Sequence, residues 1–554
     1  MLHQLNEFFP IRYTVFGLCV LGLLACLFSL LVFGSGGTLA ALLLIPVGVG
    51  IYDLAQDKRS ILRNYPVIGH IRYMLEYVRP EMRQYFLESD NEATPFSRAQ
   101  RSLVYQRAKG DSDKRPFGTQ LDVHAKGYEW INHSMAPSTV PSHDFRLWIG
   151  GTPEQAAQRG SDDGLCTQPY HASVFNISAM SFGSLSANAI LSLNGGAKLG
   201  DFAHDTGEGS ISEYHRRHGG DLIWEIGSGY FGCRNDDGSF NADRFARNAR
   251  EPQVKMIEIK LSQGAKPGHG GVLPGPKVTP EIAAARGIPV GIECVSPASH
   301  SAFSTPLEMM AFITQLRTLS GGKPTGFKLC IGHPWEWFAI VKAMLATGVT
   351  PDFIVVDGAE GGTGAAPVEF TNHVGSPLQE GLLLVHNTLR GVGLRDRIRI
   401  GCAGKVISAF DIGRMMAIGA DWCNSARGFM FALGCLQAQT CHTGNCPTGV
   451  TTQDPLRQQS LVVSDKTRRV FQYHEMTLHA LKEMVQAAGL KHPGEITAHH
   501  IVRRSSDGKV RSLAQSVLTQ MHDGVLLQAD LAGLPLIYRQ SWPQARAESF
   551  TLLA

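Results

Sequence analysis

The chain has 554 residues, 44% of them hydrophobic, which is too long for one small domain and enough for a large barrel with extensions. A net charge of +3 is too mild to point to nucleic acid, and eleven cysteines scattered along a long chain do not make a secreted disulfide framework. Glycine is the outlying residue: 60 of 554, about 11% against the usual ~7%, gathered in short loops after apolar runs where backbone must approach a ligand closely.

The N-terminus differs in kind from the rest. From Tyr13 to Tyr52 there are 40 residues without Asp, Glu, Lys or Arg, broken by "GSGG" at 34–37. Each half comes near the ~20 residues a membrane-spanning helix needs. The pattern predicts a transmembrane helical hairpin, roughly Tyr13–Phe33 and Thr38–Tyr52, inside a membrane anchor over 1–55. Arg12 precedes it, and Lys58, Arg59 and Arg63 follow it, so the positive-inside rule puts both ends and the catalytic body in the cytoplasm, at the cell (inner) membrane. A cleaved signal peptide would have an apolar core of ~7–15 residues, much shorter than this run. Residues 56–115 read as a helical adaptor, with "RYMLEYVRPEMRQYFLES" interrupted or restarted at Pro80.

From about 170 short β-rich runs appear: "HASVFNIS" (171–178), "VKMIEIKLS" (254–262), "PVGIECVS" (289–296), "TGFKLCI" (325–331), "DFIVVDG" (352–358), "RIRIGCAG" (397–404) and "ADWCNSA" (420–426). Helical patterns such as "PLEMMAFITQLRTL", "WEWFAIVKAMLATG" and "AFDIGRMMAIG" lie between the later ones. Alternating helices and continuous apolar strands mean parallel α/β. Seven strands and a weak eighth, with no G-x-G-x-x-G after the first, predict a (β/α)8 TIM barrel over 116–490 and a C-terminal extension over 491–554. The active site would sit at the C-terminal strand ends, with Ser181, Lys260, Lys328, Gly361–Gly364 and Gly401–Gly404.

The loops after the last two strands, "GCAGKV" and "NSARGF", carry Gly401, Gly404 and Arg427. Glycine N–H groups and a guanidinium there would hold a phosphate; composition alone makes a pair of tight turns equally good. "GAEGGTGAAP" (358–367) lacks the Gly-Lys-Ser/Thr ending of a P-loop. In "QGAKPGHGGVLPG" (263–275), Gly and Pro fix an irregular loop around Lys266, with Lys260 on the strand before it; two lysines at a barrel mouth would attract an anion.

"CLQAQTCHTGNCPTGV" places Cys435, Cys441 and Cys446 at C-x5-C-x4-C. A zinc site would use four ligands, commonly in C-x2-C pairs, and His442 adjoins Cys441 too closely to serve the same ion. Three free thiols remain the bland alternative. Three thiolates suit an iron–sulfur cluster with one corner not held by protein, a [3Fe–4S] species.

"SAMSFGSLS" (178–186), "DTGEGS" (205–210), "IGSGYFG" (226–232), "IEIKLSQGAKPGHGG" (257–271), "VSPASH" (295–300), "GAEGGTGAAP" and "CLQAQTCHTGNCPTGVTTQ" (435–453) follow one another in the order of a known family. Over roughly 115–490 the chain resembles the FMN-binding synthase domain of glutamate synthases, in a short membrane-anchored form. The resemblance implies a barrel holding FMN beside a [3Fe–4S] cluster. It implies that Met180, Ser181, Glu225, Lys328, Gly362 and Thr363 line the flavin, and that Gly401, Gly404 and Arg427 hold its phosphate. Lys260, Gln263, Lys266 and Arg286 fall where the family binds the carboxylates of 2-oxoglutarate, and Lys266 and Glu208 are the catalytic candidates. Ferredoxin or a reductase subunit would supply electrons, and the reaction would reduce a 2-imino acid formed from a 2-oxo acid and ammonia or an amine.

The chain departs from the family pattern. "KPGEGGQLPG" is "KPGHGGVLPG", which turns a glutamine into Val272; "SPPPHHD" is "SPASHSA"; the glutamine of "KQVASGRFG" is Glu225. The glutaminase domain is expected to be missing, with the apolar anchor in its place. Two further readings use the same residues: a non-catalytic, membrane-tethered electron-transfer subunit, and a flavoenzyme that oxidises an amino acid.

Overall fold

The computed structural model describes residues 11–92, 94–160, 164–516 and 521–552. They form two compact units that divide between Ser97 and Arg98.

In the first unit, helices α1 (Thr14–Phe33) and α2 (Gly37–Ala55) are each long and apolar enough to cross a membrane. The turn between them needs glycine. Gly34 ends α1 at φ 61°, and a Cβ on Gly36 (φ 101°) would stand 3.2 Å from the Cys26 carbonyl oxygen. Leu23, Ala40 and Val47 are buried together, with Cys19, Val20, Cys26 and Leu43 against them. Near the end of α2, buried Asp53 accepts from the Val67 N–H (2.9 Å) and pairs with His70 Nε2 (2.9 Å). The helix Gly69–Met82 runs through Pro80 without a break. The chain then widens into a π-turn over Arg83–Leu87, closed by the Glu88 N–H on the Arg83 carbonyl oxygen.

The second unit is a closed parallel barrel of eight strands. They are β1 (Phe175–Ile177), β2 (His204–Asp205), β3 (Leu222–Ile226), β4 (Val254–Lys260), β5 (Thr325–Leu329), β6 (Phe353–Asp357), β7 (Arg399–Ala403) and β8 (Trp422–Ser425). The ring closes where β8 pairs with β1, Cys423 beside Phe175 and Ser425 beside Ile177. Helices α3 (Ala187–Gly200), α4 (Ala242–Ala249), α5 (Pro306–Leu319), α6 (Pro334–Thr347), α7 (Leu378–Gly391), α8 (Ala409–Ala417) and α9 (Arg427–Leu433) lie between or after the strands. Helix α10 (Val463–Ala487) packs on α3 at a glycine pair; a Cβ on Gly196 would stand 2.3 Å from Val470 Cγ1. An antiparallel pair, Arg146–Ile149 with Tyr170–Ser173, lies outside the barrel, and Ile149, Tyr170 and Ala172 share a core cluster with Ile223, Met256, Val355 and Trp422.

Two barrel strands, β2 and β3, are absent from the predicted runs, and one predicted strand is not in the barrel. "PVGIECVS" contributes only Cys294–Val295, paired antiparallel with Val272–Leu273 in an excursion between β4 and α5. Its Val290, Ile292 and Val295 are exposed, so the apolar run is not buried. The C-terminal segment adds strands of its own: Ile501–Arg504 pairs with Glu129–Ile131 on one side and Val510–Ser512 on the other.

Candidate active site

A cleft opens at the C-terminal ends of the strands. Its walls include Met180, Ser181, Glu208, Glu225, Lys260, Gln263, Lys266, Arg286, Gly362, Thr363, Arg427 and Cys441. The structure therefore gathers most of the sequence candidates from segments more than 260 residues apart. The excursion after β4 reaches it through close backbone approaches. A Cβ on Gly264 would stand 1.8 Å from the Gly358 carbonyl oxygen, and one on Gly270 would stand 1.9 Å from the Ser296 carbonyl oxygen. The Gly264 N–H also donates to Asp357 Oδ2 at 2.8 Å, joining the excursion to the end of β6.

The cationic wall divides into paired and unpaired groups. Lys260 Nζ lies 2.9 Å from Glu208 Oε2, so Lys260 is committed to a protein carboxylate. Burial pushes the Glu208 carboxyl up, but Lys260, with Arg286 and Lys266 behind it, outweighs burial and holds the group below the usual range. Lys266 and Arg286 are 3% and 5% exposed, and among the described residues neither has a carboxylate partner within 4.0 Å. Burial draws the Lys266 ammonium below the ordinary lysine range; Glu208 partly offsets this and Lys260 adds to it. The Arg286 guanidinium lies over the Phe231 ring at 5.1 Å, makes a long contact to the Phe182 carbonyl (3.4 Å), and leaves Nε without a partner. His300, from "VSPASH", fixes this wall: Nε2 meets the Lys260 carbonyl oxygen at 2.9 Å and Nδ1 meets the Tyr230 hydroxyl at 3.1 Å. Burial pushes His300 down to about 4, so it is neutral.

On the opposite wall the Arg427 guanidinium occupies the space a side chain at 362 would need: a Cβ on Gly362 would stand 1.5 Å from Nη2. The loop 358–367 is held at the start of α7, where the Leu378 N–H donates to Glu360 Oε2 at 2.8 Å. Gly404 follows β7 directly, and Leu378 packs 3.0 Å from where its Cβ would be. Gly401 needs a different explanation from a phosphate. It lies within β7 beside Trp422, and the indole carbons stand 2.4 Å from its would-be Cβ, so packing inside the barrel requires the glycine. Lys328 meets the cleft through Glu225. It is buried behind Glu225, paired with that carboxylate and with Glu258 (3.3 Å).

The cysteine loop follows α9. Cys441 faces the cleft, while burial pushes the Cys435 thiol up to about 11. Burial also raises the Cys446 thiol, but hydrogen bonds from Thr448 and Thr451 outweigh it and the net shift is downward. All eleven cysteines are free. Among the described residues, the one set of three acid, histidine or cysteine ligand atoms within 4.8 Å of one another is Asp205, Glu225 and Glu258. Cys435, Cys441 and Cys446 are not such a set, so at least one pair of their sulfurs is wider apart than the ~3.8 Å a single tetrahedral zinc would impose from its ~2.3 Å bonds. Lys277 was not singled out in the sequence. It lines the cleft and its Nζ donates to the Cys441 carbonyl oxygen at 2.8 Å, tying the excursion to the cysteine loop. Its signal was its place two residues past the Gly- and Pro-rich run that holds Lys266.

Residues 165–491 match the model of the conserved region in glutamate synthase. The glutamate synthase large subunit-like protein YerD of Bacillus subtilis (strain 168) is 37% identical over 503 residues, covering 86% of this chain and 95% of that protein. The chain belongs to the glutamate synthase family. It is an oxidoreductase of glutamate synthase type, the class acting on CH–NH2 donors. The archaeal-type glutamate synthase [NADPH] of Thermotoga sp. (strain RQ2) is 32% identical, over 68% of this chain and 72% of its own. Against the glutamate synthase [NADPH] large chain of Bacillus subtilis (strain 168), 31% identity covers 63% of this chain but 23% of the larger protein, so the likeness is confined to the synthase domain. A solved structure of the flavin-binding domain of baker's yeast flavocytochrome b2 is 12% identical, covers 84% of this chain and 92% of its own, and has a TM-score of 0.40, which adds nothing to what the strand order already shows.

Proposed function

We propose that this glutamate synthase-type oxidoreductase binds FMN and a [3Fe–4S] cluster and reduces a 2-imino acid formed from a 2-oxo acid and ammonia or an amine. The observation that carries this reading is the pair of buried cations without acid partners, Lys266 and Arg286, in a cleft that also presents Cys441. A buried, unpaired charge is costly, and an anionic ligand removes that cost.

The residues fit the two groups. At least one pair of the three thiols is wider apart than one zinc allows, and soft thiolates suit a cluster. Arg427, packed on Gly362 beside the loop that carries Gly404, offers a cation and accessible backbone to a phosphate. FMN bound there would supply hydride transfer, and the cluster would pass electrons singly from a ferredoxin or reductase subunit.

The chain's own side chains do the rest. Arg286 offers a planar fork to a substrate carboxylate, and Lys266 a point charge. Lys266, with its proton loosened by burial, can give that proton to the nitrogen of the reacting carbon. Glu208 stays ionised, and with neutral His300 it fixes Lys260 at the end of β4. Val272, on the cleft wall, offers no hydrogen bond to a second carboxylate, which favours looser selection among 2-oxo acids.

The same reading places the hairpin in the cell (inner) membrane with the barrel on the cytoplasmic side. The basic flanks Arg12, Lys58, Arg59 and Arg63 support it, as does the exposed apolar face Ile71, Met74, Leu75 and Val78 on the helix after the hairpin. A chain starting at Arg98 should leave the membrane fraction as a soluble, yellow protein; if it stays with the membrane, the hairpin is not the anchor. The test of the activity is to purify the protein anaerobically, reduce its flavin and add 2-oxo acids with ammonia or methylamine. Reoxidation that requires both partners supports the reading, and none with any pair refutes it.

A further inference from the structure

Inside the barrel, below the cleft, four ionisable side chains meet from four consecutive strands. Asp205 ends β2, Glu225 is on β3, Glu258 on β4 and Lys328 on β5. They are 1%, 2%, 0% and 4% exposed. One oxygen from each carboxyl lies within 4.8 Å of the others, and Glu225 and Glu258 are register neighbours. The Lys328 ammonium pairs with both Glu225 and Glu258, so a lysine already supplies the cation that such an acidic set would otherwise draw from solution.

The charges do not balance if every group is ionised. Three carboxylates against one ammonium leave two negative charges in the barrel interior. Apart from the Lys328 ion pair, neither Glu258 oxygen has a hydrogen-bond partner among the described residues, although Asp205 is within reach. One proton between Asp205 and Glu258 turns two facing acceptors into a donor and an acceptor, and halves the excess charge. Burial agrees: it pushes Asp205 up to about 7 and Glu258 well above the carboxylate range, with Lys328 opposing in both. Around the set, Asp357 on β6 also faces Lys328, but its carboxylate is held by the Gly264 N–H, and Lys260 at the end of β4 is held by Glu208. Glu225 is the member that lines the cleft.

We propose that Asp205, Glu225, Glu258 and Lys328 form a buried proton store, in which Glu225 takes up one proton when negative charge enters the cleft and releases it when the charge leaves. The second half of this inference rests on the flavin reading above. The balance is simple. Two-electron reduction of a flavin bound there, with one proton, would leave one negative charge facing Glu225. Lys328 would then be shared with that charge, and Glu225, with its counterion weakened, would bind a second proton from water. Once a hydride had been passed to the C=N carbon, Lys328 would return to Glu225 and the stored proton would be released.

Two measurements on the full-length protein test this. Infrared difference spectra of the resting protein should show a protonated carboxyl at neutral pH that Glu258→Gln removes and Glu225→Gln leaves in place. No such band in the wild type overturns the store. The pH dependence of the flavin midpoint potential should then give two protons per electron pair for the wild type and for Glu225→Asp, and one for Glu225→Gln, at equal FMN content. Equal proton counts in wild type and Glu225→Gln overturn the role of Glu225. A carboxyl band in a protein that neither holds nor takes up FMN supports the store and refutes the flavin reading, so the two failures are distinguishable.

Discussion

Replacing Arg286 by lysine keeps the charge in the cleft and removes the planar fork. The native guanidinium is 5% exposed, stacks over Phe231 at 5.1 Å, and makes only a 3.4 Å contact to a carbonyl and a 3.8 Å contact to Cys294 Sγ. Little of its hydrogen-bonding capacity is spent on the protein, so the variant should fold. What it loses is one of two parallel hydrogen bonds to a substrate carboxylate. A hydrogen bond to a charged group contributes about 1.5–3 kcal/mol, so the apparent affinity for the 2-oxo acid should fall roughly 10- to 150-fold. FMN content should not change, because Arg427 and the loop of Gly404 lie on other strands. The assay is substrate-dependent flavin reoxidation across a concentration series of each acid, with ammonia or methylamine fixed. Unchanged apparent affinity for every acid that the wild type accepts would refute the assignment of Arg286 to the substrate.

Cys441→Ser should lose iron and acid-labile sulfide together; stoichiometric zinc without iron in the wild type would contradict the cluster. Gly362→Ala puts a methyl group 1.5 Å from Arg427 Nη2, the flexible end of a long side chain. Thermal stability should therefore drop by less than about 1 kcal/mol, while FMN retention weakens about tenfold or more as a charged hydrogen bond is lost; unchanged FMN binding would show that Arg427 does not hold the phosphate. The Lys266 ammonium is drawn down by burial, so binding that needs its charge is complete at low pH and fails as pH rises, earlier than an ordinary lysine would allow. Lys266→Arg should move that upper limit to higher pH, and a pH profile of apparent affinity identical to the wild type would remove Lys266 from the substrate site.

The later part of the barrel could be read in the sequence because its strands are continuous apolar runs. "DFIVVDG" becomes β6, and "PLEMMAFITQLRTL" is helix α5 from end to end. The early part could not. β2 has two residues and no periodicity, and β3 carries Glu225 in the middle of an apolar run. Val290, Ile292 and Val295 misled in the other direction, since their apolar side chains are exposed. The walls of the cleft were partly legible, because Lys266 and the glycines around it sit in an irregular loop after a strand, whereas Lys260 and Lys328 turn out to pair with protein carboxylates. The acids beneath it were not: Asp205, Glu258 and Asp357 look like solvent-facing charges until the barrel closes around them. Gly401 reads as a loop glycine in the sequence because its contact, Trp422, is on the neighbouring strand 21 residues away.

The central claim is that an anionic 2-oxo acid, held by Lys266 and Arg286, is turned over with an amine in this cleft. Its most direct test is anaerobic reoxidation of the reduced wild-type flavoprotein by a 2-oxo acid plus ammonia, with the amino acid product measured against electrons consumed. One amino acid formed per two electrons, and none when either partner is omitted, is the predicted result. Reoxidation by the acid alone, or electrons passing to an acceptor with no amino acid formed, would contradict it.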